Sequence, residues 1–273
     1  VSPILFNKSL LLEMGYRVNL FYSLSEKFFS CDILMLVSKA VFNLVSEKKI
    51  IISDPSPTID LIVNAKKYAK KIVWLDSSDS TTVTHFELLP YIDLYLKKQV
   101  LKDKTLYSKD FVGGRIFTDY YHNTFNIEDD IKFKQFFPLQ QEHSHKLNIS
   151  WNIGLGDMYN AFSKKNYFQR SFQKIRPIHY KINYTQPNSQ KEIDVFIRTT
   201  SNLERNLVAF HRKELLIRLQ YIIENNTLKG STHGKWLNTK QFRNVLKSSK
   251  ILPSPFGWGE IGVRDYEAFI FGA

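Results

Sequence analysis

The run Lys71-Ile72-Val73-Trp74-Leu75 determines the fold class that the sequence predicts. Four consecutive apolar side chains give a strand that is apolar on both faces, which is typical of a parallel sheet with a layer on each side. Comparable short runs rich in Ile, Val and Leu occur at residues 31–37, 49–53 and 92–96, and amphipathic stretches such as residues 57–70 separate them. The sequence therefore predicts an α/β fold in which helices cover a parallel sheet.

The flanking stretches extend this alternation of helix and strand. Upstream, the apolar residues within 4–14 suit one face of a helix that ends at Gly15, and residues 17–22 predict a strand. Downstream, residues 115–118 are a further candidate strand before the pattern changes. We therefore expect the first domain to end within residues 120–140.

A basic connector and a second patterned region follow. Residues 151–191 contain seven Lys or Arg against one Asp and have no clear periodicity. After them, the pattern predicts a strand, two helices and a strand, in that order, at residues 193–197, 203–223, 239–246 and 250–252. The sequence thus predicts three parts: an N-terminal lobe at 1–140, a connector at 141–191 and a C-terminal lobe at 192–273.

Composition and charge exclude several classes of protein. The 273 residues include 38 Lys and Arg against 26 Asp and Glu, a formal net charge of +12, and a hydrophobic share of 43% is enough for a folded core. The single Cys31 excludes a disulfide scaffold and a cysteine-based zinc site, and the apolar runs are too short for a transmembrane helix. Because the chain opens at Val1 without a secretory signal and stops directly after a patterned stretch, we expect a fragment at both ends with a truncated C-terminal lobe.

The segment PSPFGWGEIGVRDYEAFIFGA at residues 253–273 carries the strongest chemical signal. Its Pro and Gly residues predict an irregular loop after a strand, and a helix is expected to begin near residues 262–264. In an open α/β sheet, ligands bind beyond the carboxyl ends of the strands, where the N-terminus of a helix presents N–H groups to an anion. This order of elements favours a phosphate-bearing ligand.

Glu260, Arg264 and Glu267 have a spacing that suits one helix face, provided that the helix begins early enough. An Arg between two carboxylates is either a structural ion-pair trio or a site where Arg binds a diphosphate and the carboxylates accept hydrogen bonds from sugar hydroxyls. In isolation the solvated structural trio is the commoner outcome. The Pro- and Gly-rich loop ahead of it favours the binding site.

The same segment resembles the donor-site motif of two-lobed (GT-B) glycosyltransferases, especially the bacterial polysaccharide-type group 1 enzymes and, more distantly, exostosin-like transferases. Three upstream stretches are similar to that family as well: WLDSSDS at 74–80, ELLPYIDLYLKKQ at 87–99 and ISWNIGLG at 149–156. The resemblance implies two Rossmann-like lobes, with an acceptor-side lobe at 1–140 and a nucleotide-sugar donor lobe at 192–273.

By that resemblance, the chain transfers a sugar from a nucleotide-sugar donor to a hydroxyl of a glycan or lipid-linked acceptor in polysaccharide or glycoconjugate biosynthesis. Retention of configuration and independence of metals and other cofactors are implied as well. The resemblance implies that Glu267 binds the ribose, Glu260 contacts the sugar and Arg264 neutralises the diphosphate, while Gly257 and Gly259 belong to the donor loop.

The spacing of the two glutamates departs from the family pattern, in which they usually lie one residue further apart than Glu260 and Glu267. Either the loop is one residue tighter in this chain, or Gly259 occupies the usual first position and Glu260 is displaced. Glu267 is therefore the better supported of the two.

Further candidates lie at strand ends. Arg198 follows the strand at 193–197, where a cation is well placed for a phosphate. Asp76 and Asp79 follow the strand at 71–75, and one of them is a candidate general base or ligand of an acceptor hydroxyl. The alternative for this pair is an Asx-type turn in which Asp79 or the next residue caps a helix.

Arg205 and Arg212 lie in or near the helix at 203–223 and are expected to be exposed. Lys97 and Lys98 follow the strand at 92–96; a lysine pair is usually solvated, and the alternative is that it reaches toward the cleft between the lobes.

The strong positive charge supports two other interpretations. The connector interleaves its basic residues with aromatic ones, a composition expected of a nucleic-acid-binding module, although no recognised nucleic-acid motif accompanies it. The same charge suits a peripheral position at the anionic inner face of a membrane, where lipid-linked acceptors are found. The sequence predicts a cytoplasmic transferase, and nucleic acid is the less favoured partner.

Overall fold

The computed structural model describes residues 3–4, 7–21, 23, 29–45, 54–129, 135–152, 184–187, 190–200, 203–232, 234 and 236–273. The chain divides into two compact units: Val1–Asp119 with Lys132–Gly154, and Tyr120–Ile131 with Leu155–Ala273. Both units contain a parallel sheet and helices, so the predicted α/β class is confirmed. Residues 120–131 group with the second unit, whereas the sequence assigns them to the first lobe.

The first unit holds a four-stranded sheet in which every neighbouring pair is parallel, with the strand order β1-β2-β3-β4. Its elements in chain order are α1 (Lys8–Glu13), β1 (Ile33–Val37), α2 (Ser38–Val45), α3 (Ser56–Ala65), β2 (Lys71–Asp76), β3 (Leu94–Lys97) and β4 (Leu147–Ile149). Short 3-10 helices lie at Phe86–Tyr91, Lys104–Ser108, Val112–Gly114 and Gln141–Lys146. A further helix, α4 (Ile116–Phe125), begins in this unit and ends in the second.

Strand β2 of the first unit is buried on both faces, as its apolar run predicts. Every residue of β2 after Lys71 is buried, and the Trp74 side chain is fully enclosed. Leu34 and Leu36 of β1 and Ile72 of β2 belong to the same core. This double burial explains why β2 lacks the alternation of apolar and polar residues that a half-exposed strand needs.

Two predicted strands of this region are wrong. Residues 17–21 pair with no strand of the described sheet, and an extended run without a partner has no ladder to hold it. Residues 116–118 form the start of α4, where Thr118 donates hydrogen bonds to the Val112 and Arg115 carbonyls and Asp119 accepts one from the Val112 N–H. The predicted strand at 49–53 lies outside the described residues.

The second unit holds a three-stranded parallel sheet with the order β6-β5-β7. Its elements are β5 (Ile193–Phe196), α5 (Asn206–Asn225), β6 (Gly230–Ser231), α6 (Thr239–Lys247), β7 (Ser249–Ile251) and α7 (Val263–Phe271). The two strands and two helices predicted between residues 193 and 252 therefore form, with ends shifted by at most three residues. The core consists of Phe196, Leu246, Leu252, Ile270 and Phe271.

Among the helices in the described part of the chain, none combines the length and the apolar character needed to cross a membrane. Most of the connector predicted at 141–191, namely residues 153–183 and 188–189, lies outside the described ranges.

Candidate functional site

The carboxyl ends of the three strands of the second unit lie at one edge of its sheet, because all three run parallel. Three chain segments leave from this edge: the one that begins at Ile197, the one that follows Ser231, and residues 253–262, which we call the Pro–Gly loop. Helix α7 begins directly after that loop. The predicted site residues of the C-terminal region are therefore carried by neighbouring connections.

Arg198 lies just beyond β5 and is held at this edge. One guanidinium nitrogen, Nη1, donates hydrogen bonds of 3.0 Å to the Ile197 carbonyl and the Ser231 hydroxyl, and the guanidinium carbon lies 4.9 Å from the centre of the Phe196 ring. Its buried Nε atom has no hydrogen-bond partner among the described residues. Gly234, with φ at +140°, gives the guanidinium its space, since an added Cβ would lie 2.7 Å from Nη2.

Arg264, in the first turn of α7, reaches the same backbone segment. Its Nη2 atom donates a hydrogen bond to the Arg198 carbonyl, and its buried Nη1 atom has no partner among the described residues. Glu267 lies one helical turn further on, on the same face of α7. A buried N–H without an acceptor is costly, so it marks a place where a further acceptor would be stabilising.

Arg212 approaches from helix α5. Its Nε atom donates to the Phe256 carbonyl at 3.2 Å and its Nη1 atom donates to the Thr200 carbonyl at 3.1 Å. An added Cβ at Gly257 would lie 3.3 Å from Arg212 Nη2, so this glycine lets the Pro–Gly loop pass close to the guanidinium. Arg212 is half-buried, and the prediction that it is exposed is wrong.

Arg198, Arg212 and Arg264, which we call the arginine cluster, are all partly removed from water. Burial lowers the pKa of each guanidinium, and for Arg264 the neighbouring Arg212 lowers the pKa further while Glu267 and Asp265 oppose the shift. Since arginine stays protonated in proteins, the lowered pKa of each group reports the cost of removing its charge from water.

Glu267 and Asp265 are the carboxylates of α7 that act on Arg264, and the pKa of Glu267 is itself shifted. Burial raises its pKa, and the charges of Arg264 and Arg243 act in the opposite direction. Three partly desolvated cations therefore share this edge of the sheet with the carboxylates of Glu267 and Asp265. Planar guanidinium groups match the oxygens of phosphate in pairs, so the cluster has the chemistry of a phosphate or diphosphate site.

The start of α7 differs from the predicted arrangement in two ways. The helix begins at Val263, so Glu260 lies in the loop and shares no helix face with Arg264. The Asp265 carboxylate accepts a 2.6 Å hydrogen bond from the Gly262 N–H, which places a negative charge at the helix N-terminus. An anion at this edge would therefore depend on the guanidinium groups more than on the helix dipole.

The glycines of the motif shape the Pro–Gly loop. The Gly257 N–H donates to the Gly259 carbonyl at 3.2 Å, which closes a tight turn, and Gly259 is buried. Glu260 follows this turn and is half-buried.

Asp76, the candidate general base, lies in a buried ion pair of the first unit. Its carboxylate accepts hydrogen bonds from the Lys97 ammonium at 3.0 Å and the Tyr95 hydroxyl at 2.6 Å. It also accepts one from the Ser78 N–H at 2.8 Å, which forms the Asx turn that was the alternative interpretation. Lys97 is fully buried and donates also to the Val83 carbonyl, so the prediction that it is solvated is wrong. This environment favours a structural role for Asp76.

Burial of the Asp76 carboxyl on its own raises its pKa, but the charges of Lys97 and His85 and the hydrogen bonds from Ser78 and Tyr95 outweigh that effect. The net result holds the pKa of Asp76 well below its ordinary value. A general base with so low a pKa has little affinity for a proton.

Asp79 is the more accessible of the two carboxylates. It forms a 2.9 Å ion pair with Lys98, and 54% of its side chain is exposed. Its backbone carbonyl accepts a hydrogen bond from Gln99, and it caps no α-helix, because the next helical element is the 3-10 turn at Phe86–Tyr91. Within the described ranges, no group of three His, Cys, Asp or Glu side chains converges as a metal ion would require.

Sequence patterns did not indicate the contribution of helix α5. Arg205, also predicted to be exposed, is buried and paired with Asp129. His211 and Arg212 break the apolar pattern of the helix where it faces the Pro–Gly loop. That break is the one signal that could have revealed them, because polar residues at the buried face of a helix need a specific partner.

Comparison of the chain with protein-family models, with curated proteins and with solved structures gave no match. The likeness of residues 253–273 to a GT-B donor motif therefore stays a prediction. Any functional assignment depends on the residues and distances of this chain.

Proposed function

We propose that the chain is a nucleotide-sugar-dependent glycosyltransferase and that its second unit binds the donor. The observation that carries the proposal is the arginine cluster: three guanidinium groups, each partly removed from water, at the carboxyl edge of a parallel sheet, two of them with a buried N–H atom that lacks an acceptor among the described residues. A diphosphate supplies the missing acceptors and the missing negative charge. The resemblance of the 253–273 segment to GT-B donor motifs agrees with this chemistry.

In this proposal the two units are the two Rossmann-like lobes of a GT-B architecture. Arg198 and Arg264 contact the diphosphate, Glu267 accepts hydrogen bonds from the ribose, and Glu260 contacts the transferred sugar from the Pro–Gly loop. The turn at Gly257 and Gly259 lets the backbone approach the ligand closely.

The residues act mainly on the leaving group. When the bond between the sugar C1 and the diphosphate oxygen breaks, its electron pair stays on the diphosphate, whose extra charge Arg264 and Arg198 stabilise. The acceptor hydroxyl oxygen forms the new bond to C1, and its proton passes to the diphosphate oxygen that has left C1. Fixed guanidinium groups in a water-poor site favour this charge separation more than solvent does, because they need no reorganisation during the reaction.

The acceptor in this proposal is a glycan or a lipid-linked glycan hydroxyl at the first unit. The net charge of +12 suits acceptors held at an anionic membrane face, where the chain would bind peripherally from the cytoplasm. Asp79, half-exposed near the carboxyl end of β2, is the carboxylate of this unit that is better placed to meet a hydroxyl.

Release of nucleoside diphosphate from UDP-glucose, UDP-galactose and GDP-mannose tests the proposal. We expect turnover of at least one of these donors, and we expect Arg264→Gln and Glu267→Gln each to lower kcat/KM by about 100-fold or more. Arg218→Gln is the matched control, because Arg218 lies on α5 with an exposed side chain and pairs only with Glu214 among the described residues. It should leave turnover unchanged.

Two results would overturn the proposal. One is an absence of binding and turnover with every nucleotide sugar while the chain binds generic oligonucleotides tightly and in a salt-dependent manner, which is the behaviour of a nucleic-acid-binding module. The other is a kcat/KM that stays at the wild-type value in Arg264→Gln and in Glu267→Gln.

A further inference from the structure

His211 of helix α5 lies between the end of α4 and the Pro–Gly loop, within the second unit. Its Nδ1 atom is 2.5 Å from the Tyr121 hydroxyl, and its Nε2 atom accepts a 3.2 Å hydrogen bond from the Phe256 N–H. The imidazole also stacks on the Phe256 ring, with ring centres 5.2 Å apart and planes 19° apart. The side chain is thus fixed from both sides.

The hydrogen bonds determine the protonation state of the ring. Because a backbone N–H can only donate, Nε2 must carry a lone pair, and in the neutral imidazole the proton then lies on Nδ1. The Nδ1–H group donates to the Tyr121 hydroxyl. His211 is therefore neutral in this arrangement, with a defined tautomer.

Two neighbouring residues of α5 hold Phe256 by its backbone. His211 binds its N–H, and Arg212 binds its carbonyl through Nε at 3.2 Å. Gly257, directly after Phe256, lies close to the Arg212 guanidinium, and the tight turn to Gly259 follows. The position of the turn relative to the arginine cluster is therefore coupled to both α5 side chains.

We propose that His211 is a positioning residue of the donor site: its neutral imidazole holds the Pro–Gly loop against the arginine cluster, and its protonation releases the loop. The inference rests on the proposed function, since it assigns this loop to the donor. His211 touches neither phosphate nor sugar in this scheme, and acts through Phe256.

Protonation removes the acceptor on which the loop depends. An imidazolium carries N–H groups at both nitrogens, so its Nε2–H would face the Phe256 N–H without an acceptor between them. Among the described residues, the titratable or charged groups that face His211 are Tyr121 from α4 and Arg212 from its own helix, and the loop contributes an aromatic ring and a backbone N–H. None of these groups supplies a negative charge at neutral pH, and Arg212 repels a second cation.

The shift in the pKa of His211 has the sign that this geometry predicts. Burial lowers the pKa of its imidazole, and the charge of Arg212 lowers the pKa further. The folded state thus favours the neutral form, and the stability of the contact is complete above the ordinary pKa of 6.5 and is lost as the pH falls below it.

The test measures the affinity for UDP and GDP by calorimetry between pH 5.5 and 7.5. Four proteins are compared: the wild type, His211→Gln, His211→Leu and the control His145→Gln, which replaces an exposed histidine of the first unit. Gln keeps an acceptor near the position of Nε2 but does not titrate. Because the ligand phosphate also titrates in this range, the wild type is compared with His211→Gln at each pH.

From pH 7.5 to pH 5.5 we expect the wild type and His145→Gln to lose several-fold more affinity than His211→Gln does, because the lowered pKa of His211 keeps the loss below about tenfold in this range. His211→Leu should bind weakly at every pH, with thermal stability close to that of His211→Gln. A pH profile for His211→Gln equal to that of the wild type would overturn the inference.

A second readout separates this inference from the proposed function. In the ligand-free chain, the NMR signal of the Trp258 indole, two residues beyond Phe256 in the loop, should shift with the same midpoint as the His211 ring signals. If neither nucleotide binds at any pH, the proposed donor site is wrong. A coupled shift of the Trp258 and His211 signals would still show that His211 holds the Pro–Gly loop. A Trp258 signal that does not change as His211 titrates contradicts that role, whether or not a nucleotide binds.

Discussion

Arg264 shows how a single residue can be costly for folding and useful for binding. Its guanidinium is largely removed from water, contacts the Arg198 carbonyl, and has a buried Nη1 that finds no acceptor in the described part of the chain. Desolvated charges that are incompletely paired destabilise a fold unless a ligand completes the pairing. Such residues are candidates for a binding role because folding alone does not explain them.

Replacing Arg264 by Met separates these two effects. Met has a similar length and no charge, so we expect the melting temperature of the ligand-free chain to stay within a few degrees or to rise. Stabilisation of the chain by added UDP or GDP should disappear in the same variant. A thermal denaturation series with and without nucleotide checks both, and a variant that melts much earlier yet still responds to nucleotide contradicts this role for Arg264.

Asp76 and Asp79 allow a paired comparison of a buried and an exposed carboxylate. Asp76→Asn leaves Lys97 buried without its counter-charge, which should cost about 3–5 kcal/mol of the free energy of unfolding. Asp79→Asn breaks a half-exposed pair with Lys98 and should cost less than about 1 kcal/mol. Urea denaturation at pH 7 measures both, and similar losses for the two variants would contradict the structural role of Asp76.

The same comparison has a pH dependence with a defined sign. The pKa of Asp76 is lowered in the folded state, so its carboxylate stabilises the fold above the ordinary value of 3.8, and this contribution is lost as the pH falls below that value. The wild type should therefore lose its advantage over Asp76→Asn on acidification. An advantage that stays constant down to pH 3 is the contrary result.

At the scale of elements, the start of helix α5 is fixed by a residue distant in sequence. Asp129 pairs with Arg205 at 2.6 Å through Nε, and its other oxygen accepts a 2.9 Å hydrogen bond from the Leu207 N–H in the first turn of the helix. Both side chains of the pair are more than nine-tenths buried. The buried ion pair and the hydrogen bond of Asp129 explain why residues 120–131 group with the second unit.

Asp129→Ala should therefore destabilise the second unit by about 3–5 kcal/mol, because it leaves a buried guanidinium unpaired and removes the cap. Glu214→Ala on the same helix breaks an exposed pair with Arg218 and should cost about 0.5 kcal/mol or less. Denaturant unfolding followed by circular dichroism distinguishes the two. An Asp129→Ala variant as stable as Glu214→Ala would show that α5 starts without this anchor.

The connection after β6 makes a prediction about the site. Gly234 has φ at +140°, and an added Cβ would press on the end of the Arg198 side chain. A flexible guanidinium can move aside, so Gly234→Ala should displace Arg198 from Ser231 and weaken nucleotide binding by about tenfold, in addition to some backbone strain. The Gly15→Ala variant, which also has positive φ but open space around it, controls for strain alone.

Most elements could be predicted from sequence, and the failures have physical reasons. Apolar runs such as that of β2 identify strands covered on both faces, and helices α5 to α7 follow from periodicity and turn residues. The strand predicted at 115–118 is wrong because Ile, Phe and Thr favour strands locally, whereas the contacts of Thr118 and Asp119 stabilise the turn at the start of α4. Tertiary contacts of this kind have no signature in a single sequence.

The site could be predicted only in part. Arg198, Arg264 and Glu267 follow from strand ends and from the C-terminal motif, because chain position alone brings strand ends to one edge. Arg212 and His211 lie in the middle of a helix, and their contact with the Pro–Gly loop depends on how α5 packs. Sequence spacing carries no information on that packing.

At the scale of the whole molecule, the positively charged side chains differ in whether a carboxylate pairs with them. Some cations, such as Lys97, form a buried ion pair, whereas the guanidinium groups of the arginine cluster form no ion pair among the described residues. A general electrostatic attraction weakens steeply with salt, whereas a small buried site for a diphosphate is screened much less. Salt dependence therefore separates nucleotide binding at the cluster from non-specific binding of polyanions.

The most direct test of the donor site is calorimetric titration of the chain with UDP and GDP at 0.05 M and 0.3 M salt, with Arg264→Met and Arg218→Gln in parallel. We predict that the wild type and Arg218→Gln bind one of the nucleotides with one site per chain, that the affinity changes by less than about tenfold between the two salt concentrations, and that Arg264→Met abolishes the heat of binding. Equal binding by Arg264→Met, or no nucleotide binding by the wild type at either salt concentration, would contradict the assignment of the arginine cluster to a nucleotide-sugar donor.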